Sequence, residues 1–268
     1  MENSKKVEKR PWTGKQLPKQ RKFDKSELVF GMQPVLEALR SDKDVDKILL
    51  LRESTHTEVE LLAREKGVQI QRVPIEKISR ITTKNHQGVI AFISAVNYAQ
   101  MANILSETFE KGENPLLLVL DRITDVRNFG AIARTAECSG VQAIVVPSHG
   151  SAPVNPDAMK TSSGALNYMP VCREAYLGTA IDYLLQSGVQ VVVCSEKTEA
   201  KIYDVDFTLP TAIVMGSEED GISDSIIRRA NHVVAIPMQG QVGSLNVSVA
   251  TGVILYEAVR QRALAEKG

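Results

Sequence analysis

The stretch IPMQGQVGSLNVSVATGVILYEAVRQR, residues 236–262, contains the most unusual passage from a strand to a helix in this chain. Its first half carries two glycines, which predict a flexible loop, and its second half predicts a long helix over 244–263. That helix mixes β-branched and small residues, so we expect it to be packed on several sides. An ordinary core helix would not explain the polar Ser244 and Asn246 at its start. The passage therefore indicates a dimer face or a chain threaded through its own domain.

The residues before this passage alternate between apolar strands and helices from residue 115 onward. The predicted strands lie at 115–121, 143–147, 189–196, 211–217 and 232–238. Such alternation indicates an α/β fold with a parallel sheet covered on both faces. Because ligands of such sheets bind beyond the carboxyl ends of the strands, we expect a functional site in the loops that follow them.

A second unusual loop lies in LDRITDVRNFGAIARTAECSG, residues 120–140, after the first of these strands. Asn128 is placed to cap a helix predicted over 128–138, and Arg134 lies within that helix among alanines. Small residues around an arginine let a backbone or a ligand approach closely. The alternative is a surface arginine paired with an acidic side chain, and the spacing alone leaves both open.

A third loop, VMGSEEDGIS at 214–223, follows another buried strand. Gly216 comes directly after the strand and permits close approach of a ligand to the backbone. The acids Glu218, Glu219 and Asp220 could receive a cationic or hydroxyl-bearing ligand, or could simply cap and solvate the turn. Taken alone, this loop favours the second interpretation.

The residues before 115 divide into three parts. Residues 26–94 predict a compact α/β unit, and residues 95–114 contain a helical stretch with little strongly apolar material, which is typical of a linker. Residues 1–25 carry nine lysines and arginines against three acids, so they predict a basic disordered tail. The tail is either an arm that binds nucleic-acid phosphates or a solvated terminus that aids solubility.

Composition and missing motifs exclude several classes of protein. The 268 residues are 43% hydrophobic, which is enough for a sizeable core. No apolar run is long enough to span a bilayer, and the sequence shows no apolar segment typical of a signal peptide. We therefore expect a cytoplasmic protein without a membrane partner.

The three cysteines lack C-x-x-C spacing and are expected to be buried reduced thiols. The four histidines lack metal-ligand spacing, so no metal is expected. The absence of G-x-x-x-x-G-K-[ST] and of a suitably placed G-x-G-x-x-G excludes P-loop NTPases, Rossmann dehydrogenases and methyltransferases with the usual glycine-rich loop.

Read in order, the three loops contain N-x-G-A-I-x-R-T-A, G-S-E-x-x-G-I and I-P-M-x-G-x-x-x-S-L-N-V-S-V-A-x-G. They resemble the three motifs of the SpoU/TrmH family of RNA ribose 2′-O-methyltransferases, in the SPOUT superfamily, over residues 115–262. The N-terminal unit, with VFGMQPVLEAL and HQGVIAF, is similar to the L30e-like RNA substrate-binding domain of many family members. Within the family, the chain looks most like the bacterial enzymes that methylate a guanosine ribose in 23S ribosomal RNA.

The resemblance implies a fold, a cofactor and an assembly. Residues 115–268 should form a knotted parallel-sheet methyltransferase domain whose C-terminal segment is tucked into a deep trefoil knot, and the enzyme should be a homodimer with its active site near the interface. S-adenosyl-L-methionine (AdoMet) should lie bent in the knot, held largely by main chain. The residues implied for cofactor binding are Gly216, Ile236, Met238, Leu245 and Asn246. The residues implied for catalysis are Arg134, Asn128, Glu218, Ser244 and Asn246.

The roles of these residues remain hypotheses at this point. The guanidinium of Arg134 stays protonated and is an awkward base, so we expect it to contact the target phosphate or the emerging alkoxide. We expect Glu218 to orient Arg134 or the ribose, and Asn128 and Asn246 to position the nucleotide and the loop. The family often has Asp-Pro before the motif asparagine, whereas this chain has Asp-Val-Arg at 125–127, which removes no polar group.

Three functions stay open. The first is methylation of a guanosine ribose 2′-hydroxyl in 23S ribosomal RNA, and the second is the same reaction on tRNA. The L30e-like domain argues against the small tRNA enzymes, which lack it. The third is a non-catalytic RNA-binding factor in ribosome assembly that retained the fold, and the intact motif residues argue against it.

Overall fold

Two β-sheets organise the chain in the computed structural model, which describes residues 28–266. A four-stranded sheet is built from residues 28–93, and a six-stranded sheet is built from residues 116–234. Helices flank both sheets, so the α/β class predicted from the alternation of strands and helices is confirmed. The basic tail predicted for residues 1–25 lies outside the described residues.

The smaller unit is a mixed sheet that is covered on both faces. Successive residues of a strand point to opposite faces, and Ile48 and Leu50 accordingly pack in one buried cluster while Leu49 packs in another. The spatial order of the strands is β1-β4-β2-β3, and only β2 and β3 run parallel. The elements are β1 (Leu28–Phe30), α1 (Met32–Arg40), β2 (Val45–Leu51), α2 (Thr57–Glu65), β3 (Gln69–Val73), α3 (Ile75–Ile81) and β4 (Val89–Ile93).

The larger unit contains the predicted parallel sheet. Its strands are β5 (Leu116–Asp121), β6 (Ala143–Pro147), β7 (Val171–Glu174), β8 (Gln190–Cys194), β9 (Thr211–Gly216) and β10 (His232–Val234). Its helices are α4 (Met101–Glu110), α5 (Val126–Cys138), α6 (Pro156–Thr161), α7 (Leu177–Gln186), α8 (Asp224–Ile227) and α9 (Val247–Ala265). The spatial order is β10-β8-β9-β5-β6-β7, with parallel pairing throughout. Strand β7 was not predicted, because only its first two residues are apolar and the last two are charged.

The segment predicted as a linker is in part an ordered element of the larger unit. Met101 and Leu105 of α4 lie four residues apart, hence on one face of the helix, and both are buried in the apolar cluster that also contains Leu117 and Val119 of β5. Ala99 pairs with Cys172 of β7 just before the helix begins. The connection that belongs to neither sheet is therefore shorter than residues 95–114.

A buried polar cluster joins the two units. Asp46 of β2 accepts a hydrogen bond from the Tyr98 hydroxyl at 2.6 Å, and the Arg173 guanidinium lies 4.2 Å from the centre of the Tyr98 ring. Arg173 also lies 3.7 Å from the Asp46 carboxylate and donates to the Val45 carbonyl at 3.0 Å. The side chains of Asp46 and Arg173 are 7% and 11% exposed. We call Asp46, Tyr98 and Arg173 the joint cluster.

Two helices begin at other residues than predicted. Asp125, not Asn128, caps α5, because its carboxylate accepts from the backbone N–H groups of Arg127 and Asn128 at 2.9 and 2.8 Å. The final helix begins at Val247 rather than at 244, because the Asn246 side chain accepts from the Ser248 N–H and so acts as its N-cap. Asn128 is thereby available for other contacts.

Helix α9 is packed on fewer sides than predicted. Ile254 and Leu255 are fully buried in the core of the larger unit. Val249, Val253 and Tyr256, however, are 52%, 38% and 52% exposed. Their spacing of four and three residues places them on one face of the helix, which is uncovered in the single chain.

The cysteine prediction was wrong for one of three residues. Cys172 is buried and Cys194 is half-buried, but Cys138 at the end of α5 is exposed. Within residues 28–266, no helix combines the length and the apolar character needed to cross a membrane.

Candidate active site

Loops that follow three neighbouring strands, β8, β9 and β10, enclose a cavity of about 650 Å³. Its lining residues come from 194–197, from 215–222 and from 236–250. The cavity lies at the carboxyl ends of the strands, where parallel sheets bind their ligands. Its volume falls in the range of small-molecule and cofactor sites.

The structure brings most of the implied site residues together at this cavity. All five residues implied for cofactor binding line it, and so do the implied catalytic residues Glu218 and Ser244. Asn128 and Arg134 are not among the lining residues, and both belong to α5 on the neighbouring strand connection. Asn128 is nevertheless tied to the cavity by hydrogen bonds, whereas Arg134 is not.

Three polar side chains from three separate segments meet at the mouth of the cavity. The Oε1 atom of Glu218 accepts from the side-chain amides of Asn246 at 2.5 Å and Asn128 at 3.3 Å. Asn246 also donates to the Asn128 carbonyl oxygen at 3.1 Å. Asn246 and Glu218 are exposed and Asn128 is half-buried. We call Asn128, Glu218 and Asn246 the site cluster, and its exposure leaves it open to a ligand.

The start of α9 contributes to holding this cluster. The backbone N–H of Val247, the first residue of the helix, donates to Oε1 of Glu218 at 3.1 Å. A carboxylate at a helix N-terminus is stabilised by the free N–H groups and by the helix dipole. Glu218 thus joins the 217–223 loop to α9, and this acid does more than solvate a turn.

The fold of its own loop requires a glycine at position 216. A Cβ atom at Gly216 would lie 2.4 Å from the carbonyl carbon and oxygen of Gly221. The loop folds back on itself here, and the Gly221 N–H donates to the Ser217 carbonyl at 3.0 Å. The backbone of Gly221 therefore leaves no room for a side chain at this position.

Arg134 stands apart from the site cluster. It is exposed on α5, and among the residues that the structure describes it makes neither a hydrogen bond nor an ion pair. The paired surface arginine considered from the sequence is therefore not observed. Glu218 is occupied by the two asparagines, so it does not orient Arg134 in this structure. The guanidinium remains available for an external anion.

The third wall of the cavity was not predicted from the sequence. The cavity is also lined by Cys194, the last residue of β8, and by Ser195, Glu196 and Lys197, which follow it. The signal was a polar turn directly after the apolar strand, but without the strand order nothing placed that turn beside β9. Burial, with a smaller contribution from the Glu196 charge, raises the pKa of the Cys194 thiol to about 12. Cys194 is therefore a neutral, weakly polar part of the wall.

The charged residues of the lining are predominantly acidic. They are Glu196, Lys197, Glu218, Glu219 and Asp220. Four carboxylates against one ammonium favour a ligand with a positive charge or with several hydrogen-bond donors. Within the described residues, no group of His, Cys, Asp and Glu side chains is arranged to hold a metal ion.

Comparison with known proteins gives this geometry a family. Residues 115–256 match the SpoU rRNA Methylase family, and residues 28–99 match the family described as RNA 2′-O ribose methyltransferase substrate binding. The chain belongs to the SpoU rRNA methylase family. The family predicted from the three motifs is thereby confirmed, and with it an RNA 2′-O-methyltransferase whose substrate-binding unit precedes its catalytic unit.

Three similar proteins show how far the likeness extends. The 23S rRNA (guanosine-2′-O-)-methyltransferase RlmB of Pseudomonas syringae pv. tomato is 37% identical over 246 residues, covering 90% of this chain and 98% of the relative. A tRNA/rRNA methyltransferase of Mycobacterium leprae, itself uncharacterised, is 36% identical over 91% of this chain and 80% of its own length. The crystal structure of the SpoU methyltransferase AviRb from Streptomyces viridochromogenes, in complex with AdoMet, has a TM-score of 0.57 and 27% identity, covering 88% of this chain and 90% of AviRb.

Proposed function

We propose that this protein transfers a methyl group from AdoMet to the ribose 2′-hydroxyl of a guanosine in 23S ribosomal RNA. The observation that carries the proposal is the meeting of all three motif segments at one cavity, through the contacts of Glu218 with Asn128 and Asn246. The 37% identity to RlmB along nearly its whole length supports the nucleotide and the RNA.

The cavity suits AdoMet in size and charge. The sulfonium and the α-amino group of AdoMet are positive, and the lining carries four carboxylates against one ammonium. Ile236, Leu245 and the neutral Cys194 offer apolar contact for an adenine ring. We assign Gly216, Ile236, Met238, Leu245 and Asn246 to cofactor binding.

The protein's own task in the reaction is alignment and the handling of one proton. AdoMet supplies an activated methyl group when bound, so the difficult chemistry is the cofactor's. The ribose oxygen gains negative charge as its proton passes to water or to an RNA phosphate, and the unpaired guanidinium of Arg134 would stabilise that charge or hold the adjacent phosphate. The site cluster, with Ser244 beside it, would hold the nucleotide and the loop in place.

A second copy of this chain would cover the apolar face of α9. Val249, Val253 and Tyr256 form a half-exposed strip on the helix that begins at the site cluster. We infer a homodimer through this face, with each active site near the interface. The trefoil knot implied by the resemblance stays a prediction, as does the cytoplasmic location.

The main alternative is the same reaction on tRNA, since the Mycobacterium leprae relative is named for both RNAs. Labelled methyl transfer from AdoMet onto rRNA and onto tRNA that lack the modification would separate the two, and mapping the methylated nucleotide would identify the target. Methylation of 23S rRNA at one guanosine is the expected result. Methylation of tRNA alone would show that tRNA, and not 23S rRNA, is the substrate. Transfer to neither RNA would favour a non-catalytic role in ribosome assembly.

The Arg134→Ala variant tests the assigned role of the arginine. Losing a group that stabilises developing charge typically costs about 100- to 1000-fold in kcat, so we expect a loss of that order with unchanged AdoMet affinity. The matched control is Arg228→Ala, which removes an exposed arginine that lies just after α8 and does not line the cavity. Equal turnover in the two variants would contradict the role.

A further inference from the structure

Arg122, the residue directly after β5, has a backbone conformation that arginine rarely adopts. Its φ is +60°, in the left-handed region that disfavours residues with a Cβ atom. Strained conformations of this kind persist only where the surroundings hold them. The contacts of the Arg122 side chain show what holds this one.

The Arg122 guanidinium reaches across to the 217–223 loop that follows β9. Its Nη2 donates to the Gly221 carbonyl at 3.1 Å, and its Nη1 lies 3.5 Å from the Asp220 carboxylate. Its Nε lies 3.5 Å from Oδ1 of Asp121, the preceding residue. One planar guanidinium therefore links the end of β5 to the turn at 220–221.

Asp121 holds the same loop at its far end. The Asp121 side chain is only 7% exposed, and its Oδ2 accepts from the backbone N–H of Ser223 at 2.7 Å. The two consecutive residues thus hold the loop through contacts at 220–221 and at 223. Glu218 lies between these contacts and the end of β9. Most of the loop lines the cavity.

We propose that Arg122 is a positioning residue for cofactor binding. Its guanidinium fixes the 217–223 loop so that this wall of the cavity, and Glu218 on it, are in place before AdoMet arrives. A site that is already ordered loses less conformational entropy when its ligand binds. Arg122 does not line the cavity, so it acts through the loop and not on the reacting atoms. This inference rests on the proposed function, because it takes AdoMet as the ligand.

Three substitutions separate the effect of the Arg122 side-chain contacts from the effect of its strained backbone conformation. Arg122→Ala removes the side-chain contacts and keeps a Cβ atom at the left-handed position. Arg122→Gly removes both the side-chain contacts and the backbone strain. Arg122→Lys keeps a positive charge but loses the planar pair of donors. The Kd of AdoMet, measured by isothermal titration calorimetry without RNA, should rise about tenfold in both Ala and Gly variants and less in the Lys variant.

Stability should not follow the same order as affinity. The urea midpoint of Arg122→Gly should exceed that of Arg122→Ala, because glycine adopts φ near +60° freely. Ser163→Gly is the matched control for strain relief, since Ser163 also has a positive φ, of 53°, and lies outside the cavity lining. That control should raise the urea midpoint without changing the Kd. In steady-state assays of the three Arg122 variants, the KM for AdoMet should rise by a larger factor than kcat falls, because bound AdoMet itself helps to order the loop.

The outcomes distinguish this inference from the proposed function. A wild-type protein that binds no AdoMet overturns both. A wild-type protein that binds AdoMet, with unchanged Kd in the Ala and Gly variants, overturns only the role of Arg122. A third outcome is that affinity changes only with stability, so that the Gly variant binds AdoMet like wild type and the Ala variant binds it more weakly. Arg122 would then have a merely structural role, and the inference would be overturned.

Discussion

The site cluster and the joint cluster are built alike and differ in burial. Each joins three polar side chains from segments far apart in the chain, Asn128–Glu218–Asn246 in one and Asp46–Tyr98–Arg173 in the other. The side chains of Asp46 and Arg173 are nearly inaccessible, whereas Glu218 and Asn246 are exposed. Buried charges are costly when a partner is lost, while exposed ones contribute little to stability. We therefore expect the joint cluster to decide folding and the site cluster to be available for binding.

Removal of Arg173 should have the largest effect on stability. Arg173→Ala leaves the Asp46 carboxylate buried without its positive partner and takes away the contact with the Tyr98 ring. Breaking a buried pair in this way costs about 3–5 kcal/mol, measurable by urea unfolding at pH 7. Arg228→Ala, which removes an exposed arginine, should cost less than about 0.5 kcal/mol. A loss of similar size in the two variants would remove the distinction between the clusters.

The sequence predicted the site cluster far better than the joint cluster, for a physical reason. Strand ends in a parallel sheet lie along one edge, so Asn128, Glu218 and Asn246 could be placed near one another from strand positions and motifs. The contact of Arg173 with Asp46 spans 127 residues between two units, and it depends on how those units dock. Neither residue lies in a motif or in a local pattern that could have indicated it.

The same limit explains the smaller misses. The wall at 194–197 needed the strand order, which places β8 beside β9. Arg122 was passed over because a positive φ in a residue other than glycine leaves no trace in the sequence. Helix α4 was taken for a linker because its apolar residues are few, although Met101 and Leu105 fall on one buried face.

The second prediction concerns the pH dependence of the joint cluster. Burial raises the pKa of Asp46 from its ordinary 3.8 to about 6, although the Tyr98 hydrogen bond and the Arg173 charge oppose the shift. The folded protein therefore holds this proton more tightly than the unfolded chain does. The contribution of Asp46 to stability is greatest below pH about 4 and falls as the pH rises through about 6, by about 2–3 kcal/mol.

Asp46→Asn provides the matched comparison for that effect, because asparagine has the same size and still accepts from Tyr98 but does not titrate. The difference in the free energy of unfolding between wild type and variant should fall between pH 4 and pH 7. The Lys47 and Asp44 charges beside Asp46 are present in both proteins and affect both. A difference that stays constant over this range would show that Asp46 titrates as an exposed carboxyl does.

The smallest effect on stability should come from the site cluster. Glu218→Gln keeps one oxygen that can accept from Asn246 and Val247, but it removes the negative charge at the start of α9. The expected cost is less than about 1 kcal/mol, the range of an exposed charge at a helix N-terminus. Methyl transfer should nevertheless fall, because the weakened carboxylate contacts loosen both asparagines. Glu219→Gln is the control, since Glu219 also lines the cavity but makes no hydrogen bond or ion pair within residues 28–266. A destabilisation by Glu218→Gln as large as that by Arg173→Ala would contradict the comparison. The exposed site cluster would then contribute as much to stability as the buried joint cluster, and the main role of Glu218 would be structural.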